Sequence, residues 1–266
     1  MSSPPKITDP LSAFPEELGP VLQQSPIAYL PFGTVEWHGP HLPLGVDVYK
    51  VDAFVERSVA MTGGVVFPTI TWNRNTIRAV DGVEHEGMEH VCRHLLPGNY
   101  HLLSEATFEA LVGDMVTACF RRGFKVVCVW RGHNARVLVD SLPKLQRKLQ
   151  AQFPERRLVV HSIDDLLLSH DEKATLGCLP DHAGKWETSV MLALRPDLVR
   201  LERLRGKDPV AVGATDNGVM HASADLGRRI FELCGSAMGG RLLRLLDEVP
   251  GEVPIPKAMA EAIDPA

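Results

Sequence analysis

Residues 125–134 read KVVCVWRGHN and decide the fold class of this 266-residue chain. An apolar run ends at a glycine, and helical spacing then continues to about residue 152, which predicts a buried strand that turns directly into a helix. The same order recurs along the chain. Further strands are predicted at 27–32, 65–67 and 158–160, and further helices at 47–61, from 104 to just before 123, from near 185, and over about 223–247. Alternating strands and helices predict an α/β sandwich with a largely parallel sheet.

The composition is typical of a globular protein and excludes several classes of partner. Hydrophobic residues make up 45% and charged residues 23% of the chain, and the formal net charge is −5. Scattered basic residues argue against nucleic acid or an anionic membrane as a partner. Five cysteines without C-x-x-C spacing favour a reducing compartment. Because no apolar run reaches the roughly 20 residues of a membrane span, and no signal peptide is evident, we expect a cytoplasmic protein. Its expected parts are an arm (1–24), one domain (25–250) and a tail (251–266).

The first motif that carries chemistry is EWHGPHLPLGVD, residues 36–47. Side chains two apart in an extended segment point to the same face, so Glu36 and His38 can converge on one ion. Prolines and glycines shape a tight loop that can return Asp47 to the same place. Imidazole and carboxylate ligands suit zinc, manganese or iron. Asp47 alone also fits a helix N-cap.

Two later motifs supply further candidates. His133 follows the strand at 125–130, at the edge of the sheet where such folds bind ligands, although a solvated turn residue would fit the same pattern. In DHAGKWETS, residues 181–189, His182 and Glu187 lie on either side of a helix start. An acidic residue there also complements the helix dipole. The histidine-containing region 85–101 is interpreted as a substrate-covering loop or subunit contact rather than as another metal cluster.

The stretch LPFGTVEWHGPHLPLGVD, residues 30–47, resembles the signature of the creatininase (creatinine amidohydrolase) family. Further landmarks follow in the family's order: PGN at 97–99, GHN at 132–134, and HAG with ETS within 182–189. The resemblance extends over roughly residues 20–247.

This resemblance implies a three-layer αβα sandwich, a homohexamer, and one or two divalent ions (Zn, Mn or Fe) per subunit. It implies hydrolysis of a C–N bond in a small cyclic amide or formamide. By position, Glu36, His38, Asp47 and His133 would be metal ligands, with Asp47 able to bridge two ions. A metal-activated water would attack the carbonyl carbon, and His182 would protonate the leaving group.

The chain departs from the family pattern at Ala135, where creatininase has a glutamate two residues after its metal-binding histidine. We therefore predict Glu187 as a metal ligand, and we do not expect creatinine to be the substrate. Two alternatives stay open: a hydrolase that opens a keto-sugar or keto-cyclitol ring, and a catalytically silent hexameric scaffold.

Overall fold

The centre of the fold is a parallel sheet of five strands. A computed structural model describes residues 3–87, 92, 95–162, 168–215, 217–249 and 251. Its strands are β1 (Lys6–Ile7), β2 (Ile27–Phe32), β3 (Gly64–Val66), β4 (Ile77–Val80), β5 (Val83–Glu86), β6 (Val126–Arg131) and β7 (Arg157–Ser162). The sheet has the order β1-β3-β2-β6-β7 with every neighbouring pair parallel, whereas β4 and β5 form a separate antiparallel hairpin.

Helices cover both faces of this sheet. They are α1 (Pro15–Gln24), α2 (Val46–Thr62), α3 (Glu105–Arg121), α4 (Arg136–Gln152), α5 (His170–Leu176), α6 (Lys185–Leu194) and α7 (Ala224–Asp247). Helices α1, α3 and α4 share one hydrophobic core with the sheet, and α2, α6 and α7 share the other. Successive residues of β2 enter opposite cores, as the period of a strand requires: Ala28 and Leu30 lie in the first, and Ile27 and Tyr29 in the second. The three-layer αβα prediction is therefore confirmed. Among the described residues, no helix combines the length and apolarity that a bilayer crossing needs.

The predicted elements are present, with ends that shift by a few residues. The strand predicted at 65–67 lies at Gly64–Val66, and the helix predicted at 47–61 extends over Val46–Thr62. Sequence reasoning missed the β4–β5 hairpin, because most of its residues are solvent-exposed and show no apolar alternation. Residues 6–24 supply an edge strand and a helix that packs on the core. The division into arm, domain and tail stays a prediction.

The pairing of β2 with β6 positions the candidate site. Phe32 and Arg131 are register partners at the carboxyl ends of the two strands, and the N–H of Gly132 donates to the carbonyl oxygen of Phe32 at 2.7 Å. The segments that follow both strands therefore emerge side by side. The first turn of α2 lies against them, since a Cβ on Gly33 would be 2.7 Å from Cγ2 of Val48.

Candidate metal centre

A pocket of about 280 Å³ opens at the carboxyl ends of β2 and β6. The ionisable side chains that line it are those of Glu36, Asp47, Lys50, Arg78, His133, Asp181, His182 and Glu187. The segment that carries Glu36 is extended because it pairs with a second segment: the N–H of Trp37 donates to Gly98 and that of Tyr100 donates to Val35, each at 2.8 Å. The extended geometry expected for the first motif is thus present.

Glu36, Asp47 and His133 form the first group of side chains. The Nδ1 atom of His133 lies 3.1 Å from Oε2 of Glu36 and 3.4 Å from Oδ2 of Asp47. All three residues are buried, and their ligand atoms lie within 4.8 Å of one another. That spacing fits one ion with ligand bonds of about 2.0–2.2 Å.

His38, Asp47 and Glu187 form the second group. The Nε2 atom of His38 lies 3.7 Å from Oδ1 of Asp47 and 3.5 Å from Oε2 of Glu187. The Nδ1–H of His38 donates to the backbone carbonyl of Glu36 at 3.0 Å, so a neutral ring directs its Nε2 lone pair at the two carboxylates. Because Asp47 contributes Oδ1 here and Oδ2 to the first group, its geometry suits a bridging ligand.

The unsatisfied atoms of both groups fit a bound cation. Oε2 of Glu36, Oδ2 of Asp47 and Nε2 of His38 are buried and accept or donate no hydrogen bond among the described residues. Buried polar atoms are normally satisfied, so these three, which belong to ligand groups that share Asp47, require an explanation. A set of oxygen and imidazole nitrogen donors without a thiolate matches the preferences of Zn²⁺ and Mn²⁺.

Electrostatics keep the three carboxylates ionised. Burial raises the pKa of Glu36, but the neighbouring His133 outweighs it and lowers that pKa to about 2. Burial also opposes the charge on Asp47 and Glu187, yet nearby cations, Lys50 first among them, hold both pKa values below the ordinary range. The imidazoles of the two groups shift the other way: despite burial, the carboxylates raise their pKa values to about 9 and about 10. The potential in the pocket is therefore negative, which favours cations.

His182 lies beside the second group and is suited to accept a proton. Its ring stacks on His38 with centroids 4.3 Å apart, and its Nε2–H donates to the carbonyl oxygen of Trp37 at 2.9 Å. A neutral His182 therefore has its lone pair at Nδ1. Burial, followed by the charge of His38, lowers its pKa, which favours the neutral ring.

The loop before α6 positions both His182 and Glu187. Ala183 has a left-handed backbone (φ 55°), and its N–H donates to Oε2 of Glu187 at 2.7 Å. The carboxylate of Asp181 accepts from the N–H groups of Trp186 at 2.8 Å and Glu187 at 3.3 Å, and thereby satisfies the start of the helix. Burial, together with the charge of Glu187, raises the pKa of Asp181 to about 7. The sequence predicted the helix start near Lys185 but not this capping role.

Two polar residues of the site escaped sequence reasoning. Nζ of Lys50 lies 3.0 Å from Oδ1 of Asp47 and forms a second ion pair with Glu187. The amide of Asn75 donates to Oε1 of Glu36 at 2.7 Å. The position of Lys50 could have identified it from the sequence, because Lys50 lies in the buried stripe of α2, where an unpaired lysine would be costly. Asn75 lies in a region without periodicity and gave none.

The remaining candidates lie elsewhere or outside the described residues. His85 is buried but belongs to none of the candidate metal groups found among the described residues. Its possible partner Glu89, and His90, lie outside the described residues. His101 stacks on Trp72 with centroids 4.6 Å apart and does not line the described pocket. Ala135 lines the pocket with a methyl group and offers no ligand.

Comparison with known proteins identifies a family and several enzymes. The sequence profile described as creatinine amidohydrolase matches residues 15–240. The chain is 27% identical over 232 residues to creatinine amidohydrolase of Pseudomonas putida, covering 78% of this chain and 85% of that protein. It is 25% identical to 3-dehydro-scyllo-inosose hydrolase of Thermotoga maritima (82% and 66% covered) and 27% identical to the mycofactocin precursor peptide peptidase of Mycolicibacterium smegmatis (72% and 69%).

Solved structures agree with the sequence comparison. A crystal structure of creatininase aligns with a TM-score of 0.70 at 26% identity, covering 91% of this chain and 98% of that one. A manganese form of creatininase gives 0.68 at 25% identity (91% and 98% covered). A variant creatininase of a Zn-Zn type gives 0.65 at 26% identity (87% and 93%).

Proposed function

The chain belongs to the creatininase family of metal-dependent hydrolases, and on that premise we propose that it cleaves a C–N bond in a small cyclic amide or formamide. The observation that supports this most is the pair of buried ligand groups that share Asp47. We propose Glu36, His38, Asp47, His133 and Glu187 as the metal ligands, and Zn²⁺ or Mn²⁺ as the ions. The buried atoms of these groups that lack a hydrogen bond include two carboxylate oxygens and one imidazole nitrogen, which are the kinds of atom that such ions bind.

The chemistry divides between the ion and the chain. A bound divalent ion supplies an acidic water and polarises a carbonyl group. His182 supplies the proton transfers: its Nδ1 takes a proton from the attacking water, and the resulting imidazolium returns it to the leaving nitrogen. The hydrogen bond from Nε2 to the Trp37 carbonyl keeps the ring in the tautomer that this cycle needs. The order of these two proton transfers refines the hypothesis that His182 protonates the leaving group, because a neutral His182 must first accept the proton that it later donates.

Creatinine is not the proposed substrate. The departure at Ala135 removes a carboxylate that creatininase would have at that position, and it leaves an apolar methyl group on the pocket wall. A second candidate reaction is the hydrolytic opening of a keto-cyclitol, which the similarity to the inosose hydrolase favours. A silent scaffold is not proposed, because the chain belongs to a family of hydrolases.

Product analysis tests the proposal and separates its two reactions. The chain is stripped with a chelator, reloaded with Zn²⁺ or Mn²⁺, and assayed against lactams, formamides and keto-cyclitols. We expect turnover only in reloaded protein, with a free amine, ammonia or formate as product for the first reaction and an open-chain acid for the second. Equal turnover in metal-free protein would refute the proposal.

Two substitutions test the proposed roles. Asp47→Asn should abolish metal retention and turnover, whereas His182→Gln should retain the metal and lose about 10²–10⁴ in kcat. His170→Gln is the matched control, since His170 is an exposed histidine on α5, and we expect it to behave as wild type. Unchanged kcat in His182→Gln would remove His182 from the mechanism.

We also propose that the chain works as a cytoplasmic homohexamer with a small-molecule substrate. The family resemblance supports the hexamer, and five cysteines without C-x-x-C spacing are compatible with a reducing compartment. Light scattering of the purified chain measures the assembly directly, and a monomer at working concentration would contradict it.

A further inference from the structure

Lys50 is a buried cation inside the second ligand group. It is 5% exposed, its ammonium lies 3.0 Å from Oδ1 of Asp47, and it also pairs with Oε1 of Glu187. Lys50 lies three positions after Asp47 on α2, so the same helix sets the positions of both residues. The proposed mechanism gives this ammonium no role.

The two ligand groups differ in how far the chain itself satisfies them. In the second group, both oxygens of Glu187 are bonded, one to Lys50 and the other to the N–H of Ala183 at 2.7 Å, and Oδ1 of Asp47 faces the same ammonium. In the first group, the partner of Oε2 of Glu36 and Oδ2 of Asp47 is the imidazole of His133, at 3.1 and 3.4 Å, which supplies no positive charge when it is a neutral metal ligand. The oxygens that still need a positive partner therefore belong mainly to the first group.

Charge balance leads to the same distinction. The three carboxylates of the ligand groups carry −3 and Lys50 carries +1, so these four side chains sum to −2 when the imidazoles are neutral ligands. Arg78 and Asp181 also line the pocket and have charges of opposite sign. One divalent ion neutralises this charge, whereas two ions would leave +2 in a buried pocket. Uncompensated buried charge is costly. Ala135 also disfavours a second ion, because it adds no carboxylate to offset the charge of that ion.

We propose that Lys50 substitutes for a second metal ion: the chain holds one divalent ion tightly at Glu36, Asp47 and His133, and a second ion enters the His38–Asp47–Glu187 group only when the ammonium withdraws. The inference rests on the proposed function in that both require the first ion. It makes Lys50 a positioning residue, which fixes the orientation of Asp47 and Glu187 where a second ion would otherwise do so.

The test measures metal stoichiometry and needs no substrate. Chelator-stripped wild type and Lys50→Met are titrated with Zn²⁺ and with Mn²⁺ by calorimetry, and metal content is measured after dialysis against buffered metal. We expect one tightly held ion in wild type and two in Lys50→Met, with the second ion bound at least about 100-fold more tightly than in wild type. Lys50→Arg keeps the positive charge and should retain one ion. Lys148→Met, which removes an exposed lysine from α4, is the matched control and should equal wild type.

A second pair of variants locates the tight ion and stays informative if Lys50→Met does not fold. His133→Ala should lose the ion, whereas Glu187→Gln should keep it within about tenfold of the wild-type affinity. Two ions of similar affinity in wild type, one ion in a folded Lys50→Met, or loss of the tight ion in Glu187→Gln would each overturn the role of Lys50 and leave the hydrolase proposal intact. If wild type binds no ion, both proposals fail.

Discussion

Replacing Gly132 by alanine should disrupt the proposed metal centre while leaving the fold in place. Gly132 joins β6 to His133 and passes against the first turn of α2. A Cβ built on it would overlap the carbonyl oxygen of Asp47 and lie 2.9 Å from the carbonyl carbon. Because both obstructing atoms are backbone, no side-chain rotation relieves the overlap. Gly132→Ala must therefore move one backbone segment away from the other.

The size of that movement follows from the same contact. Cβ atoms essentially never come closer than 3.0 Å to another heavy atom, and the two segments must separate by about 1 Å before the contact with the carbonyl oxygen reaches that limit. Metal–ligand distances tolerate only about 0.2 Å, so His133 and Asp47 can no longer hold the same ion. We expect the affinity of the tight ion to fall by at least about 100-fold, or about 2.7 kcal/mol. The strain should lower the free energy of unfolding by about 1–3 kcal/mol.

The assay compares metal affinity with global stability in one matched pair. Gly113→Ala is the control, because Gly113 lies inside α3 and its added Cβ would be 3.8 Å from the nearest side chain. That substitution should preserve metal binding and raise stability by up to about 1 kcal/mol. Calorimetric metal titration and urea unfolding are measured for both variants and wild type. If Gly132→Ala binds its ion within threefold of wild type, the close approach of β6 to α2 does not set the ligand geometry.

Three further predictions concern stability, each measured by urea unfolding. Gly227→Ala should destabilise by about 1–3 kcal/mol with metal content retained, because its Cβ would overlap the carbonyl oxygen of Ser189 and push α7 away from α6; unchanged stability would refute that packing. Phe108→Ala should cost about 3–5 kcal/mol, because the buried ring packs edge-to-face on Phe32 with centroids 5.9 Å apart. Burial, followed by nearby arginines, lowers the pKa of His161 to about 3. Below pH 6.5 the unfolded chain therefore binds a proton that the folded chain does not bind. As a result, the free energy of unfolding falls as the pH falls. Between pH 7.5 and 5.0 wild type should lose up to about 2 kcal/mol more than His161→Gln, and equal losses would contradict the assignment.

The two central strands were the easiest elements to predict, for one physical reason. A strand buried on both faces must be apolar throughout, so β2 and β6 appear as continuous runs that no surface pattern obscures. The candidate ligands that follow those strands could be predicted to meet, because neighbouring parallel strands end at the same edge. The hairpin of β4 and β5 gave no such signal, since its stability derives from backbone pairing at the surface rather than from burial.

Contacts between residues far apart in the sequence could not be predicted from the sequence. The ion pair between Lys50 and Glu187 joins residues 137 positions apart, and the hydrogen bond from Asn75 to Glu36 joins two loops. Neither depends on local periodicity, so only the assembled sheet brings the partners together. The position of Lys50 in the buried stripe of α2 indicated that this lysine needs an acidic partner, but it did not identify the partner.

Asp47 and Glu187 show why two interpretations of an acidic residue at a helix start need not compete. Asp47 is the second residue of α2, whose N-cap is Gly45, and Glu187 is the third residue of α6. Each carboxylate therefore lies in the positive field of a helix N-terminus, which helps to keep it ionised although it is buried. A divalent cation or an ammonium group binds an ionised, buried carboxylate. The position at a helix start favours this ionised form, so a residue there can also be a ligand. Since a solvent-exposed acidic residue at a helix start would have the same local sequence, the deciding information is the burial of both carboxylates where α2 and α6 meet at one pocket.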